Sequence, residues 1–149
     1  MPDQKLDKAC DLLHDSLGYA IKRAQVRTYA VLFGLLGENP ITPARMTALC
    51  LIARQPGISQ SDLADLLDIT RAAVVKVVDT LESRALVERQ PITGNRRTYA
   101  LQVTQTGHKE LRRLTQLSHE YERRISAKLS RSERQQLMGL LERVAAGQG

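Results

Sequence analysis

The sequence predicts a mainly α-helical fold with a small β-wing, a winged helix-turn-helix with N- and C-terminal dimerisation helices. Three observations carry this expectation. Apolar residues recur at helical spacing over most of the 149-residue chain. Two short helical segments joined by a tight turn lie at its centre. A hairpin pattern around Gly94-Asn95 follows them directly.

Composition bounds the class. Hydrophobic residues make up 42%, enough for a packed core, but aromatics only 3%, so that core must be aliphatic. The net charge of +6 favours a polyanionic partner. No apolar run approaches the ~20 residues of a membrane span, and the start of the chain lacks the apolar core of a signal peptide. Cys10 and Cys50 have no CxxC spacing and read as reduced thiols. The expectation is a soluble cytoplasmic protein with no cofactor and no membrane partner.

The elements follow in order. Leu6, Cys10, Leu13, Leu17, Ile21 and Ala24 share one helical stripe in a stretch reaching Leu36, as one long helix or two abutting ones. Thr42 caps a helix with Pro43 at its first position, running to Gln55 and stopped by Pro56-Gly57. Ser59-Gln60-Ser61-Asp62 has capping-box form and opens a short helix burying Leu63, Leu66 and Leu67. Asp68-Ile69 turns, and Thr70 caps a helix with Val74, Val77, Val78 and Leu81 on its inner face. Leu86–Arg89 and Thr98–Leu101 are strands around a loop holding Pro91, Gly94 and Asn95. Thr104 caps a long helix carrying Leu111, Leu114, Leu117, Tyr121 and Ile125. Ser130 and Glu133 form a second capping box, opening a final helix with Leu137, Leu140, Leu141 and Val144. The whole chain, 1–149, reads as one domain, with 41–104 as the winged DNA-binding part and 1–37 and 105–149 as dimerisation helices.

The second helix of such a motif fits the major groove and offers its N-terminal residues to base edges. Its outer face here carries Arg71, Ala72, Val75, Lys76 and Asp79. Arg71 and Lys76 can donate to guanine or phosphate, while Ala72 and Val75 suit thymine methyls. The hairpin tip region holds Arg89, Arg96 and Arg97, with Arg84 upstream, and basic side chains on a protruding ribbon can enter the minor groove. The candidate DNA-binding set is Gln60, Ser61, Thr70, Arg71, Ala72, Ala73, Val75, Lys76, Arg84, Asn95, Arg96 and Arg97.

From Ile41 to about Leu114 the chain resembles the MarR family of winged-helix regulators. The resemblance rests on Pro56 to Ala64, on Ile69-Thr70-Arg71 through Val78-Asp79-Thr80-Leu81-Glu82, on Leu86-Val87-Glu88-Arg89, and on Asn95-Arg96-Arg97 followed by Val103-Thr104 and Gly107. It implies a two-fold dimer of triangular shape with intertwined terminal helices, and a ligand or redox input between the dimerisation and DNA-binding parts. Three positions depart from the family pattern. Asn95 stands where the family has an Asp that pairs with the arginine at position 97, so the wing tip should be less firmly set. Ala72-Ala73 replaces Ser-Thr, shifting readout toward shape, phosphates and methyl contacts. Ala85 replaces Gly, at a cost of about 1 kcal/mol if the position is left-handed.

Tyr19, Lys22, Arg23, Gln25, Arg27 and Tyr29 crowd donors and phenols onto the first helix. The Leu17–Gln25 segment is similar to that of MarR-type regulators of aromatic-acid catabolism, some of which respond to aromatic acyl-CoA thioesters. The candidate effector site is therefore Tyr19, Arg23, Arg27 and Tyr29, between the first helix and the winged part, for a small aromatic effector such as a hydroxycinnamoyl-CoA. The expected function is ligand-released repression, by a homodimer, at a pseudo-palindromic duplex operator. The alternatives are a winged-helix protein-interaction module and a redox- or metal-sensing regulator of the same fold. Cys10 lies on an apolar stripe, which favours an inert thiol. His108 and His119 are about 16 Å apart along one helix, too far to share an ion. No metal site is expected, and no nucleophile constellation supports an enzyme.

Overall fold

The computed structural model describes residues 13–147. Its elements are α1 (Leu17–Leu36), α2 (Pro43–Arg54), α3 (Gln60–Leu67), α4 (Arg71–Ser83), β1 (Val87–Ile92), β2 (Asn95–Val103), α5 (Gln105–Ile125) and α6 (Arg131–Ala145). They form two compact units. One spans Asn39–Ser118; the other comprises the described residues through Glu38 and from His119 onward. Among the described residues, no helix is long and apolar enough to cross a membrane.

Hydroxyl caps start the helices of the central unit. Thr42 Oγ1 accepts from the Arg45 amide, Ser59 Oγ from Asp62 at 3.0 Å, Thr70 Oγ1 from Ala73 at 3.1 Å and Thr104 Oγ1 from Gly107 at 3.0 Å. Each cap satisfies an amide that the helix itself leaves unpaired. The helices close on an aliphatic core in which Leu49, Ile52, Leu63, Val74, Val78 and Leu81 are sealed from solvent. The sheet completes it with Val87 and Leu101.

The β-ribbon is antiparallel, pairing Val87 with Val103, Arg89 with Leu101 and Pro91 with Tyr99, with a register irregularity between Pro91 and Ile92. Its base is pinned to the segment before α3. The Gly57 amide donates to the Leu101 carbonyl at 2.8 Å, and the Leu101 amide to the Ile58 carbonyl at 2.9 Å. The strands are longer than the pattern suggested, leaving only Thr93-Gly94 between them. Pro91, expected in the loop, lies within β1. In a two-stranded ribbon each strand is an edge, where a missing amide is tolerated. Leu66 is likewise half exposed at 51% rather than buried. At 100° per residue the inner face of α3 is filled by Leu63, Ala64 and Leu67, and Leu66 falls outside it.

In the terminal unit, α1 starts at Leu17 because Ser16 caps it, accepting from the Tyr19 amide at 3.1 Å, and Asp15 takes a left-handed φ of 51°. The stripe expected from Leu6 is interrupted there; Leu6 and Cys10 lie outside the described residues. Ser130 and Glu133 form the reciprocal capping box of α6, with bonds of 3.1 and 2.7 Å. This unit leaves much apolar surface open. Leu17, Val26, Tyr29 and Phe33 on α1 and Leu137, Met138, Leu140, Leu141 and Val144 on α6 are all exposed.

Candidate nucleic-acid interface

The helix-turn-helix is built by α3 and α4. Asp68 ends α3 in the left-handed region at φ 53°, and the Ile69 amide returns to the Ala64 carbonyl at 3.0 Å, which reverses the chain into the Thr70 cap. Val74, Val78 and Leu81 anchor α4 inward. Arg71, Ala72, Val75 and Lys76 therefore stand exposed on its N-terminal half, with Ala73 half-buried. That half is the part of a recognition helix that reaches base edges. Arg71 is held across the turn: Nη1 donates to the Ser61 carbonyl, and Nη2 lies 3.2 Å from an Asp65 oxygen. Ser61 is exposed beside it, and the Thr70 hydroxyl serves as the cap.

Arg89 departs from its expected place near the wing tip. It sits opposite Leu101 at the ribbon base, its side chain only 17% exposed. Its Nε donates to Gln60 Oε1 at 2.9 Å, Nη2 to Asp79 at 2.6 Å and Nη1 to Glu82. Strand alternation explains this: Val87, Arg89 and Pro91 share a face, and Val87 is in the core. Arg89 thus ties wing, α3 and α4 together, and Gln60 serves this tie through its Oε1.

Arg84 also has a partner within the protein. It caps the C-terminal end of α4, about 20 Å along the helix from Thr70, and its guanidinium forks onto Asn39, to the carbonyl oxygen at 2.9 Å and to Oδ1 at 3.0 Å. At the wing tip Asn95 Oδ1 accepts from the Arg97 backbone amide at 3.0 Å, and the Arg97 side chain is exposed. Arg96 belongs to β2, and its side chain lies outside the described set. Ala85 holds φ 57°, the left-handed conformation that its departure from glycine makes costly.

On α1, Tyr19, Arg23 and Arg27 lie on successive turns of one exposed face. Tyr29 is set about 160° around the helix from Arg27 and packs edge-on against Phe33, ring centres 6.2 Å apart. The four candidates are therefore not gathered on one face. Tyr19 and Arg23 line a shallow depression of about 460 Å³. A larger apolar groove, of about 500 Å³, is lined by Ile21, Ala24, Gln25 and Thr28 of α1 and by residues of the α5 end and α6. Sequence reasoning missed this groove, although Ile21, Ile125 and Leu137 had each been placed on apolar stripes. Cys50 is exposed as a residue, but partial burial of its thiol pushes the pKa up, with Arg54 pulling the other way. That is the reverse of a reactive thiolate. Among the described residues, no cluster of three His, Cys, Asp or Glu is placed to hold a metal.

Comparison with known proteins identifies the frame. Residues 41–99 match the MarR family. A transcriptional regulatory protein assigned to the hcr operon of Thauera aromatica is 35% identical over 139 residues, covering 90% of this chain and 84% of its own. The transcriptional repressor CouR bound to a 23-mer DNA duplex is 33% identical, covers 90% of this chain and 95% of that chain, and superposes with a TM-score of 0.83. CouR bound to p-coumaroyl-CoA is 31% identical over 91% of this chain and 96% of that one, with a TM-score of 0.81. These relatives are transcriptional regulators and not enzymes. With the winged helix-turn-helix in place and these matches spanning nearly the whole chain, the protein belongs to the MarR family of transcriptional regulators.

Proposed function

We propose that this protein is a homodimeric repressor that binds a pseudo-palindromic DNA operator in the cytoplasm and is released by an anionic aromatic effector. The observation carrying the DNA reading is the exposed N-terminal half of α4, where Arg71 and Lys76 flank Ala72 and Val75, with Arg97 exposed on the wing of the same compact unit. Cations there supply phosphate and guanine contacts, and the small apolar groups suit thymine methyls. The open apolar faces of α1 and α6 support dimerisation, since surfaces of that kind are normally covered in solution. A two-fold dimer with recognition helices about 34 Å apart reads half-sites one DNA turn apart.

For the effector we infer an aromatic acyl-CoA thioester. Support comes from the similarity to CouR, solved with p-coumaroyl-CoA, and from Arg23 and Arg27, one turn apart beside Tyr19. Paired guanidinium groups suit the phosphates of CoA, and a phenol suits an aromatic acyl ring. Binding weakens operator affinity if the thioester favours a conformation that cannot dock, or if its charge competes with DNA phosphates.

Mobility shifts with duplexes flanking the protein's own coding region, with and without p-coumaroyl-CoA, test the reading. The expected result is a sequence-specific complex lost on adding the thioester. No specific complex would favour the protein-interaction module instead. Calorimetry should show tight thioester binding, weaker binding of free p-coumarate, and loss of both in Arg23→Ala/Arg27→Ala. Unchanged affinity in that double variant would remove the proposed effector site.

A further inference from the structure

The C-terminal corner of α4 holds the first residue of the central unit and the start of α5. Arg84 grips Asn39, 45 residues earlier, through two bonds of 2.9 and 3.0 Å. Asn39 is the first residue of that unit and takes a left-handed φ of 51°, two residues after Gly37 at 78°. On the other side, the Ala85 carbonyl accepts from Thr104 Oγ1, and the Thr104 amide donates to the Leu86 carbonyl at 3.0 Å. Residues 84–86 thus bind the segment leaving α1 and the start of α5 to the end of the same helix. A guanidinium fork fixes direction as well as distance, which a single ammonium contact does not.

We propose that Arg84 is a positioning residue for operator spacing: by clamping Asn39 to the end of α4, it fixes the recognition helix to the first residue of its own unit, where the chain arrives from α1. This rests on the reading of the protein as a two-fold dimer on paired half-sites. Each base pair added between half-sites moves the second one about 3.4 Å along and about 35° around the duplex. A stiff clamp makes such a change costly. A loosened one lets each α4 follow its own half-site, at the expense of affinity for the natural spacing, because the dimer is no longer pre-organised.

The test uses full-length protein and a duplex selected by the wild type from a random-sequence pool. Versions with the spacer one base pair shorter and longer, and an isolated half-site, complete the set. Wild type should lose about tenfold or more in affinity on either altered spacer. Arg84→Ala and Arg84→Lys should both lose about tenfold on the natural spacer, discriminate between spacers by only about threefold, and match wild type on the half-site. Lysine discriminates between roles, because it keeps the charge for a phosphate contact but cannot fork. Full recovery in Arg84→Lys, or an equal loss on the isolated half-site, would make Arg84 a DNA contact and overturn the clamp. So would wild-type spacing discrimination in Arg84→Ala. Should Arg84→Ala fail to fold by circular dichroism, Asn39→Gly carries the test. Glycine accepts the left-handed φ and removes only the Oδ1 arm, so spacing discrimination should fall part of the way, and its retention in full would overturn the proposal. A wild type indifferent to spacing would instead overturn the two-fold reading, and this inference with it.

Discussion

Gly107 lies so close to Leu86 that a Cβ at position 107 would fall 2.1 Å from the Leu86 carbonyl oxygen and 2.7 Å from Val103 Cγ1. The contact presses the first turn of α5 onto the corner between α4 and β1, where the Leu86 amide closes onto Leu81 and its carbonyl receives the Thr104 amide. A backbone oxygen already engaged in a hydrogen bond cannot swing aside as a flexible side chain does.

Gly107→Ala should therefore destabilise the protein by about 3 kcal/mol, the upper range for overpacking. Urea unfolding should show a lower midpoint with an unchanged slope. A loss under about 0.5 kcal/mol, typical of an uncrowded surface site, would mean that the helix shifts freely and the corner is not rigid.

The opposite sign is expected at Ala85, which holds φ 57°. Ala85→Gly should stabilise by about 1 kcal/mol, because glycine carries no Cβ to clash in the left-handed region. Thermal unfolding would report this as a rise of about 2–4 °C for a chain of 149 residues.

Arg89 neutralises Asp79 and Glu82 on α4 while reaching Gln60 on α3. Arg89→Met should cost about 1–2 kcal/mol, since Arg89 is only 17% exposed and makes three hydrogen bonds, while water screens the exposed Asp79 and Glu82 carboxylates it leaves behind. Adding Asp79→Asn and Glu82→Gln should recover part of that loss. The comparison is made by urea unfolding of the single and triple variants, and no recovery would show that packing of the arginine stem, not charge, holds the wing.

On DNA, Arg71→Ala and Lys76→Ala should each weaken operator binding, and a variant that loses a base contact should also relax sequence preference by about 1–3 kcal/mol. Arg97→Ala should cost affinity evenly across sequences and reduce the salt slope by about one phosphate contact. Fluorescence anisotropy on operator and scrambled duplexes at several salt concentrations separates the two behaviours.

The Glu110–Arg113 pair on α5 sets a pH dependence. The hydrogen bond from Arg113 holds the Glu110 carboxyl below the ordinary glutamate value of 4.5, partial burial opposing it and the charges of Arg113 and Arg84 adding to it. A depressed folded-state pKa means that the stabilisation is complete above that ordinary value and is lost as pH falls through the depressed one. Glu110→Gln should be less stable than wild type at neutral pH, by no more than about 1 kcal/mol because Arg113 is largely exposed. The difference should vanish in acid, as urea midpoints across that range would show.

What the sequence determined by itself is local. Thr42, Ser59, Thr70, Thr104 and Ser130 were legible as caps because each acts on an amide three residues on, and the inner face of α4 was legible because Val74, Val78 and Leu81 recur at the helical period. The exposed face with Arg71, Val75 and Lys76 followed as the complement. The partners of the long cations were decided only by the tertiary structure. Arg84, Arg89 and Arg97 look alike in the sequence, as basic residues near a hairpin. Yet one closes on Asn39, 45 residues away, one on Gln60, 29 residues away, and the third stays exposed. A guanidinium reaches several ångströms in any direction, so its role depends on which carboxylates, amides and carbonyls the folded chain brings within that reach. Pro91 follows the same logic: its chemistry marks a turn, but a ribbon in which both strands are edges has room for it within β1.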